Sequence, residues 1–159
     1  MRGKKHISKN KIQPDPKYGR EDVAKFINYL MRKGKKTIAQ KIIYRAFDIL
    51  KNQFKQDPLK IFSQAIHNVS PSVEVRSRRV GGANYQIPSP VRGPRQFTLA
   101  SRWIIAAAEG RKGKSMAEKL SQEFFDASQN QGAAIKKKED IYRMAEANKA
   151  FAHFARFTR

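Results

Sequence analysis

The stretch V-E-V-R-S-R-R-V-G-G-A-N-Y-Q-I-P, Val73 to Pro88, decides how the chain is read. Val73, Val75 and Ser77 alternate with Glu74, Arg76 and Arg78, the period of two expected of a strand with one largely apolar and one charged face. Gly81 and Gly82 supply the positive φ that a tight reversal needs. Tyr85 and Ile87 then alternate with Asn84 and Gln86, and Pro88 closes the return strand where a ladder donor is no longer required. The pattern is a basic β-hairpin at about 72–88, and nothing around it reads as a second sheet. An isolated hairpin is marginal in water, so this one leans on helices or on a partner. Lysine or glutamate would guard a solvated edge as well as Arg76, Arg78 and Arg79 do, so the arginine cluster points to a polyanion.

Composition narrows the partner. In 159 residues, 34 Lys and Arg stand against 13 Asp and Glu, a net charge of +21. Such an excess makes the free compact state repel itself, and nucleic acid is the expected counter-charge. A membrane is not expected, because no apolar run approaches the roughly 18 residues needed to span one. The basic start is followed by no apolar segment, so no signal peptide is expected. Cysteine is absent, which excludes disulfides and thiolate metal sites and fits a reducing compartment. His6, His67 and His153 are scattered, and no H-E-x-x-H, G-x-S-x-G or phosphate-binding glycine loop occurs. No enzyme activity, metal, cofactor or small-molecule substrate is expected.

The apolar content of 40% suits one core. The expected fold is mainly α: a single-domain bundle of about six helices over 21–159, one protruding basic hairpin, and a disordered basic arm over 1–20. In the arm, Arg2, Lys4, Lys5, Lys9, Lys11, Lys17 and Arg20 face one acid, Asp15, and Pro14 and Pro16 forbid a continuous helix. A first helix, Glu21 to about Lys33, places Val23, Phe26, Ile27, Leu30 and Met31 on one face, with Gly34 as its C-terminal cap. Lys35 and Lys36 follow in a connection too cationic for the helix dipole alone, and are read as phosphate contacts. Thr37 and Gln40 have capping-box spacing, and Ile38, Ile42, Ala46, Ile49 and Leu50 continue a second helix to about Phe54. Asp57-Pro58 starts a third, which ends before Pro71.

After the hairpin, Arg92 and Arg95 sit in a proline-punctuated link. A fourth helix, about 96–109, turns Leu99, Trp103, Ile104 and Ala107 inward and offers Arg102 as a contact. Lys112 and Lys114 lie in a basic turn before the Ser115/Glu118 capping box of a fifth helix. The last helix is expected over about 133–154, with Ile141, Met144, Ala145 and Phe151 on its apolar side. Lys136, Lys137 and Lys138 sit in its first turn, where cations oppose the dipole, which favours a binding role. Phe154 and Arg156 close the chain with groups suited to stacking and charge pairing.

Beyond the hairpin, P-D-P-K-Y (14–18), V-A-K-F-I-N (23–28), G-K-K (34–36) and M-A-E-A-N-K-A-F-A-H (144–153) are ordered matches spanning nearly the whole chain from Pro14. In these stretches the sequence resembles the universal ribosomal protein family number seven of the small subunit. The resemblance implies direct binding to the 3′ major domain of small-subunit rRNA and nucleation of the subunit head. It also implies a place at the subunit interface in a cytoplasmic or organellar ribosome, beside small-subunit proteins nine and eleven. By that likeness Lys35, Lys36, Arg76, Arg78, Arg79 and Lys136 to Lys138 carry over as RNA contacts. The hairpin, with Tyr85, and the chain end, with Phe154 and Arg156, would approach the exit-site tRNA and the mRNA path. The link Ser89 to Arg95 and the ending F-A-R-F-T-R depart from the family pattern.

Two other classes of function share some of these features. A DNA-bending architectural protein also uses a basic β-arm on a helical body, but Val80 is the sole wedge available here. An RNA-modifying enzyme would need a cofactor fingerprint that is missing.

Overall fold

The computed structural model describes residues 12–80 and 82–152. Its elements run α1 (Glu21–Leu30), α2 (Lys36–Phe54), α3 (Pro58–Val69), β1 (Val73–Val80), β2 (Ala83–Pro90), α4 (Pro94–Gly110), α5 (Met116–Ser128) and α6 (Ala133–Ala147). The fold is mainly α with one antiparallel hairpin, as the periodicities indicate. The backbone divides into two compact units, Met1–Gln40 and Lys41–Arg159, with the boundary inside α2.

In the first unit, Asp15 is buried and its carboxylate accepts the N–H groups of Lys17 and Tyr18, each at 3.1 Å. A turn therefore closes between the two prolines and α1, in a stretch whose charge had suggested only an arm. α1 buries Val23, Ala24, Phe26, Ile27 and Leu30 but stops short of Lys33. Lys33 and Gly34 both adopt positive φ, +52° and +72°, so Gly34 belongs to the connecting turn and is not the helix cap. Thr37 lies inside the first turn of α2, not ahead of it as a cap. Ile38, expected inward, is 51% exposed. The buried stripe of α2 runs one residue later, through Ala39, Ile43, Ala46, Phe47 and Leu50.

The core of the second unit is aromatic. Phe47, Phe62 and Phe124 meet edge to face or tilted, with centroids 5.5–6.2 Å apart, and Phe54 stacks on Phe125 at 3.8 Å. Pairs of this kind add about 0.5–1.5 kcal/mol each beyond their burial. Two helix starts follow their sequence signals. The Asp57 carboxylate accepts Leu59 N–H at 3.0 Å ahead of Pro58, and Ser115 Oγ accepts Glu118 N–H at 3.5 Å. Trp103 and Ala107 are only half-buried, whereas Ala100, Ile105 and Ala108 face the core of α4. α6 ends at Ala147, well before Phe154; a single 3₁₀ turn occupies 149–152. Met144, expected on its apolar side, is 42% exposed.

Three helix ends of this unit are satisfied by side chains from neighbouring helices. The Asn68 amide of α3 donates to the Ala127 and Ser128 carbonyls at the end of α5, both at 2.9 Å. The Glu123 carboxylate of α5 accepts Ala134 N–H at the start of α6, at 2.9 Å. The Lys138 ammonium of α6 donates to the Asn68 carbonyl near the end of α3, at 2.6 Å. The three contacts form a closed cycle, and each also matches charge or donor to the local helix dipole.

Candidate nucleic-acid interface

The hairpin register pairs Val73 with Pro90 through Val80 with Ala83, so β2 continues two residues beyond Pro88. Val91 N–H donates to Ser72 C=O at 2.8 Å, which makes 72/91 a hydrogen-bonded rung. By alternation Pro88 and Pro90 occupy non-bonded rungs, where their missing N–H would have pointed away from β1. Two prolines thus fit a paired strand without breaking the ladder. Gly82, at φ +90°, makes the reversal that the Gly-Gly step promised.

Directly paired residues share a face, so the register sorts the arginines. Arg76 lies opposite Ile87 and Arg78 opposite Tyr85, on the face that also carries Glu74. Arg79 lies opposite Asn84 on the other face with Ser77 and Gln86. The charged side of β1 is therefore the apolar side of β2, so neither face of the hairpin is uniformly apolar or uniformly charged. Glu74 shows why. It is 6% exposed, whereas Val73 and Val75 are half-buried. Arg76 Nε donates to Glu74 Oε1 at 2.6 Å, and Arg95 donates to Oε2 from Nε at 3.2 Å and from Nη2 at 2.9 Å. Burial alone would raise the Glu74 carboxyl, but hydrogen bonds and charge from Arg95 and Arg76 outweigh it and hold its pKa below the ordinary value. One buried acid so orients two arginines, each about half exposed and each with further guanidinium N–H groups to offer a phosphate. Tyr85 packs its ring on Phe151, centroids 5.1 Å apart, in the 3₁₀ turn after α6.

A second basic region gathers around Glu123, which is wholly buried. Arg111 donates to it from Nε at 2.8 Å and from Nη2 at 2.6 Å, and also reaches Asp126 at 2.5 Å. Burial works against the Arg111 charge, yet the bonds to Glu123 and Asp126 prevail and raise its pKa. Because Arg111 and Ala134 share this carboxylate, the turn carrying Lys112 and Lys114 lies beside the start of α6 with Lys136 and Lys137. All four of these lysines are exposed. Lys138 differs from its neighbours. Its ammonium is committed to the Asn68 carbonyl and lies 5.7 Å from the Tyr142 ring centroid. A local role therefore does account for Lys138, which the helix dipole alone had left unexplained.

Arg92 and Arg102 are exposed, at the entry to α4 and along it. In the first unit Lys35 and Lys36 are exposed, and Arg20 pairs with Asp22 at 2.5 Å. Arg2, Lys4, Lys5, Lys9, Lys11, Phe154 and Arg156 lie outside the described residues. Among the described residues no group of His, Cys, Asp and Glu could hold a metal ion, and no helix is long and apolar enough to cross a membrane. The organising acids Glu74, Glu123 and Asp126 and the amide of Asn68 were not singled out from sequence. Their one legible signal is scarcity: a few acids placed among 34 cations.

The family model described as ribosomal protein S7p/S5e matches residues 2–149. Proteins named small ribosomal subunit protein uS7 are similar along almost their full length. That of Thermotoga neapolitana is 57% identical, over 95% of this chain and 97% of its own. That of Anaeromyxobacter sp. strain K is 54% identical, over 97% and 99%, and that of Teredinibacter turnerae 51%, over 93% and 95%. These names describe ribosomal proteins and no enzyme. The chain belongs to the ribosomal protein S7p/S5e family.

Proposed function

We propose that this protein is a structural constituent of the small ribosomal subunit that binds the 3′ major domain of its rRNA directly and nucleates assembly of the head. The reading rests on the family match across residues 2–149. The distribution of exposed cations supports it, since they sit on the α1–α2 turn, the α4–α5 turn, the start of α6 and the hairpin. Each phosphate neutralised by Lys or Arg releases condensed counterions, so affinity is expected to fall steeply with salt. Specificity comes from the shape of folded RNA matched against a helical body, not from a base code.

Lys35, Lys36, Lys112, Lys114, Lys136 and Lys137, with the N-terminal arm, supply assembly affinity. The hairpin, through Arg78, Arg79 and Tyr85, approaches the exit-site tRNA and mRNA after docking. Small-subunit proteins nine and eleven are its protein neighbours, in a cytoplasmic ribosome. Binding to a folded 3′ major domain RNA, a scrambled RNA and a duplex DNA of equal length tests the reading at roughly 200 mM salt, where purely ionic contacts weaken sharply. Tight binding to the rRNA fragment alone is expected; equal binding to all three would overturn it in favour of a DNA-bending role.

A further inference from the structure

The hairpin stands on two short links. Three residues separate α3 from β1, and three separate β2 from α4. Among the described residues the sheet has no third strand, so the direction of the hairpin must be set by what touches its root and flank. Two of those contacts come from α6 and the turn that continues it. At the root, Ser72 N–H donates to Tyr142 Oη at 2.9 Å, and Ser72 Oγ lies 3.0 Å from the same oxygen. Ser72 is also the last rung of the ladder, through the bond from Val91 N–H. Nearer the tip, at the sixth of eight rungs from the root, Tyr85 meets Phe151.

Tyr142 is itself tied down from below. Lys138, one turn earlier on α6, holds the Asn68 carbonyl near the end of α3 while its ammonium lies over the Tyr142 ring. The α3–β1 junction is thus gripped at two points by two side chains of one helix, at Asn68 in α3 and at Ser72, the last residue of the link. We propose that Lys138 and Tyr142 are positioning residues that aim the hairpin, so that α6 decides where Arg78 and Arg79 are presented.

Magnitude makes the grip matter. Eight residues per strand span roughly 27 Å, so a swing of about 10° at the root moves the tip by about 5 Å. A direct hydrogen bond to phosphate does not survive a displacement of that size. The Glu74 bridge to Arg95 ties the root to α4 as well, from the same face of the hairpin as Ser72 and Tyr85, but its arginine is half exposed. It is a separate restraint on the root and stays intact when Tyr142 or Lys138 is replaced.

What the tip touches rests on the ribosomal reading; the aiming itself does not, and the two are tested apart. The chain contains no cysteine, so spin labels at Asn84→Cys and Gln129→Cys report the distance from hairpin to helical body in the full-length protein. Tyr142→Phe, which removes only the hydroxyl, is expected to broaden that distribution roughly twofold, and Lys138→Met with Tyr142→Phe to broaden it further. A second label pair, Lys112→Cys with Gln129→Cys, should stay unchanged and shows that the body is folded. An unchanged hairpin distribution in the double variant would overturn the proposal. In parallel, Tyr142→Phe should leave the salt dependence of rRNA-fragment binding unaltered, since every RNA-facing cation remains. Failure of the parent protein to select that fragment would sink the ribosomal reading and leave the distance result standing.

Discussion

The Glu123 carboxylate joins Arg111 to the start of α6: Oε2 accepts Arg111 Nε at 2.8 Å while Oε1 accepts Ala134 N–H at 2.9 Å. No atom of this glutamate's surface is open to solvent. A fully buried acid in a chain of charge +21 thus does two things at once. It neutralises a guanidinium behind the basic α4–α5 turn, and it fills the anion-seeking end of the helix that carries Lys136 and Lys137.

Removing Glu123 strips the buried Ala134 N–H of its acceptor and leaves Arg111, partly exposed, with Asp126 alone. Glu123→Ala is therefore expected to cost about 1–3 kcal/mol of stability in the RNA-free protein, measured by urea denaturation. A loss below about 1 kcal/mol, the range of exposed pairs, would show that Arg111 is satisfied without it.

Gly132, at the N-terminus of α6, has φ +95° and ψ 173°, a region open essentially to glycine. A Cβ built there would lie 3.0 Å from Glu123 Oε1 and 3.2 Å from Asp126 Cβ. Gly132→Ala should cost about 1–3 kcal/mol and lower the melting temperature by several degrees. Gly19→Ala is the control, with nothing within 4 Å of its Cβ. It should cost less, through positive φ alone, and equal losses at the two sites would rule out the Glu123 contact as a cause.

Glu74 gives the fold a defined response to acid. Its folded pKa lies below the ordinary 4.5, so between the two values the unfolded chain holds a proton that the folded chain does not. Stability then rises with pH across that window: the contribution is complete above the ordinary value and is lost as pH falls through the folded one. Glu74→Gln should be less stable than the parent near neutrality, and the gap should close on acidification. Unfolding free energies collected from about pH 3 to about pH 7 decide it; a constant gap would remove the ionised carboxylate from the explanation.

Ser101, on the buried side of α4, has no exposed surface and its hydroxyl has no hydrogen-bond partner. An unmet buried donor costs about 1–3 kcal/mol, so Ser101→Ala should hold or raise the melting temperature. A clear drop would mean that the hydroxyl is bonded in solution.

Arg78 and Arg79 point to opposite faces of the hairpin, whereas Arg76 is bound to Glu74. Replacing Arg78 and Arg79 by alanine should leave primary binding to the rRNA fragment largely intact while altering tRNA or mRNA handling by assembled subunits. Lys136→Ala and Lys137→Ala should each lower the slope of log affinity against log salt by about one. A collapse of fragment binding in the double arginine variant would place the hairpin in assembly instead.

Much of this was present in the residues themselves. Alternation in 73–79, the Gly-Gly step and the 3.6-residue stripes announced one hairpin among helices, and Asp57 and Ser115 marked two helix starts that the structure places where expected. The net charge named the class of partner, and ordered matches named the family. Such signals are local or summed, so they survive without knowledge of the fold. Where a pattern met a choice of face, local reading failed: Ile38 falls on the expected apolar stripe of α2 yet is exposed, and Glu74 stands on the charged face of β1 yet is buried. Only the tertiary structure paired Asn68 with the end of α5, Lys138 with α3 and Tyr142 with Ser72, across separations of 59 and 70 residues. A buried polar group must find its partner wherever packing brings one, and no spacing along the chain records which distant backbone that will be. Elements and charge are thus written into local residue patterns, whereas packing sets which cations are spent inside the protein and which remain to meet RNA.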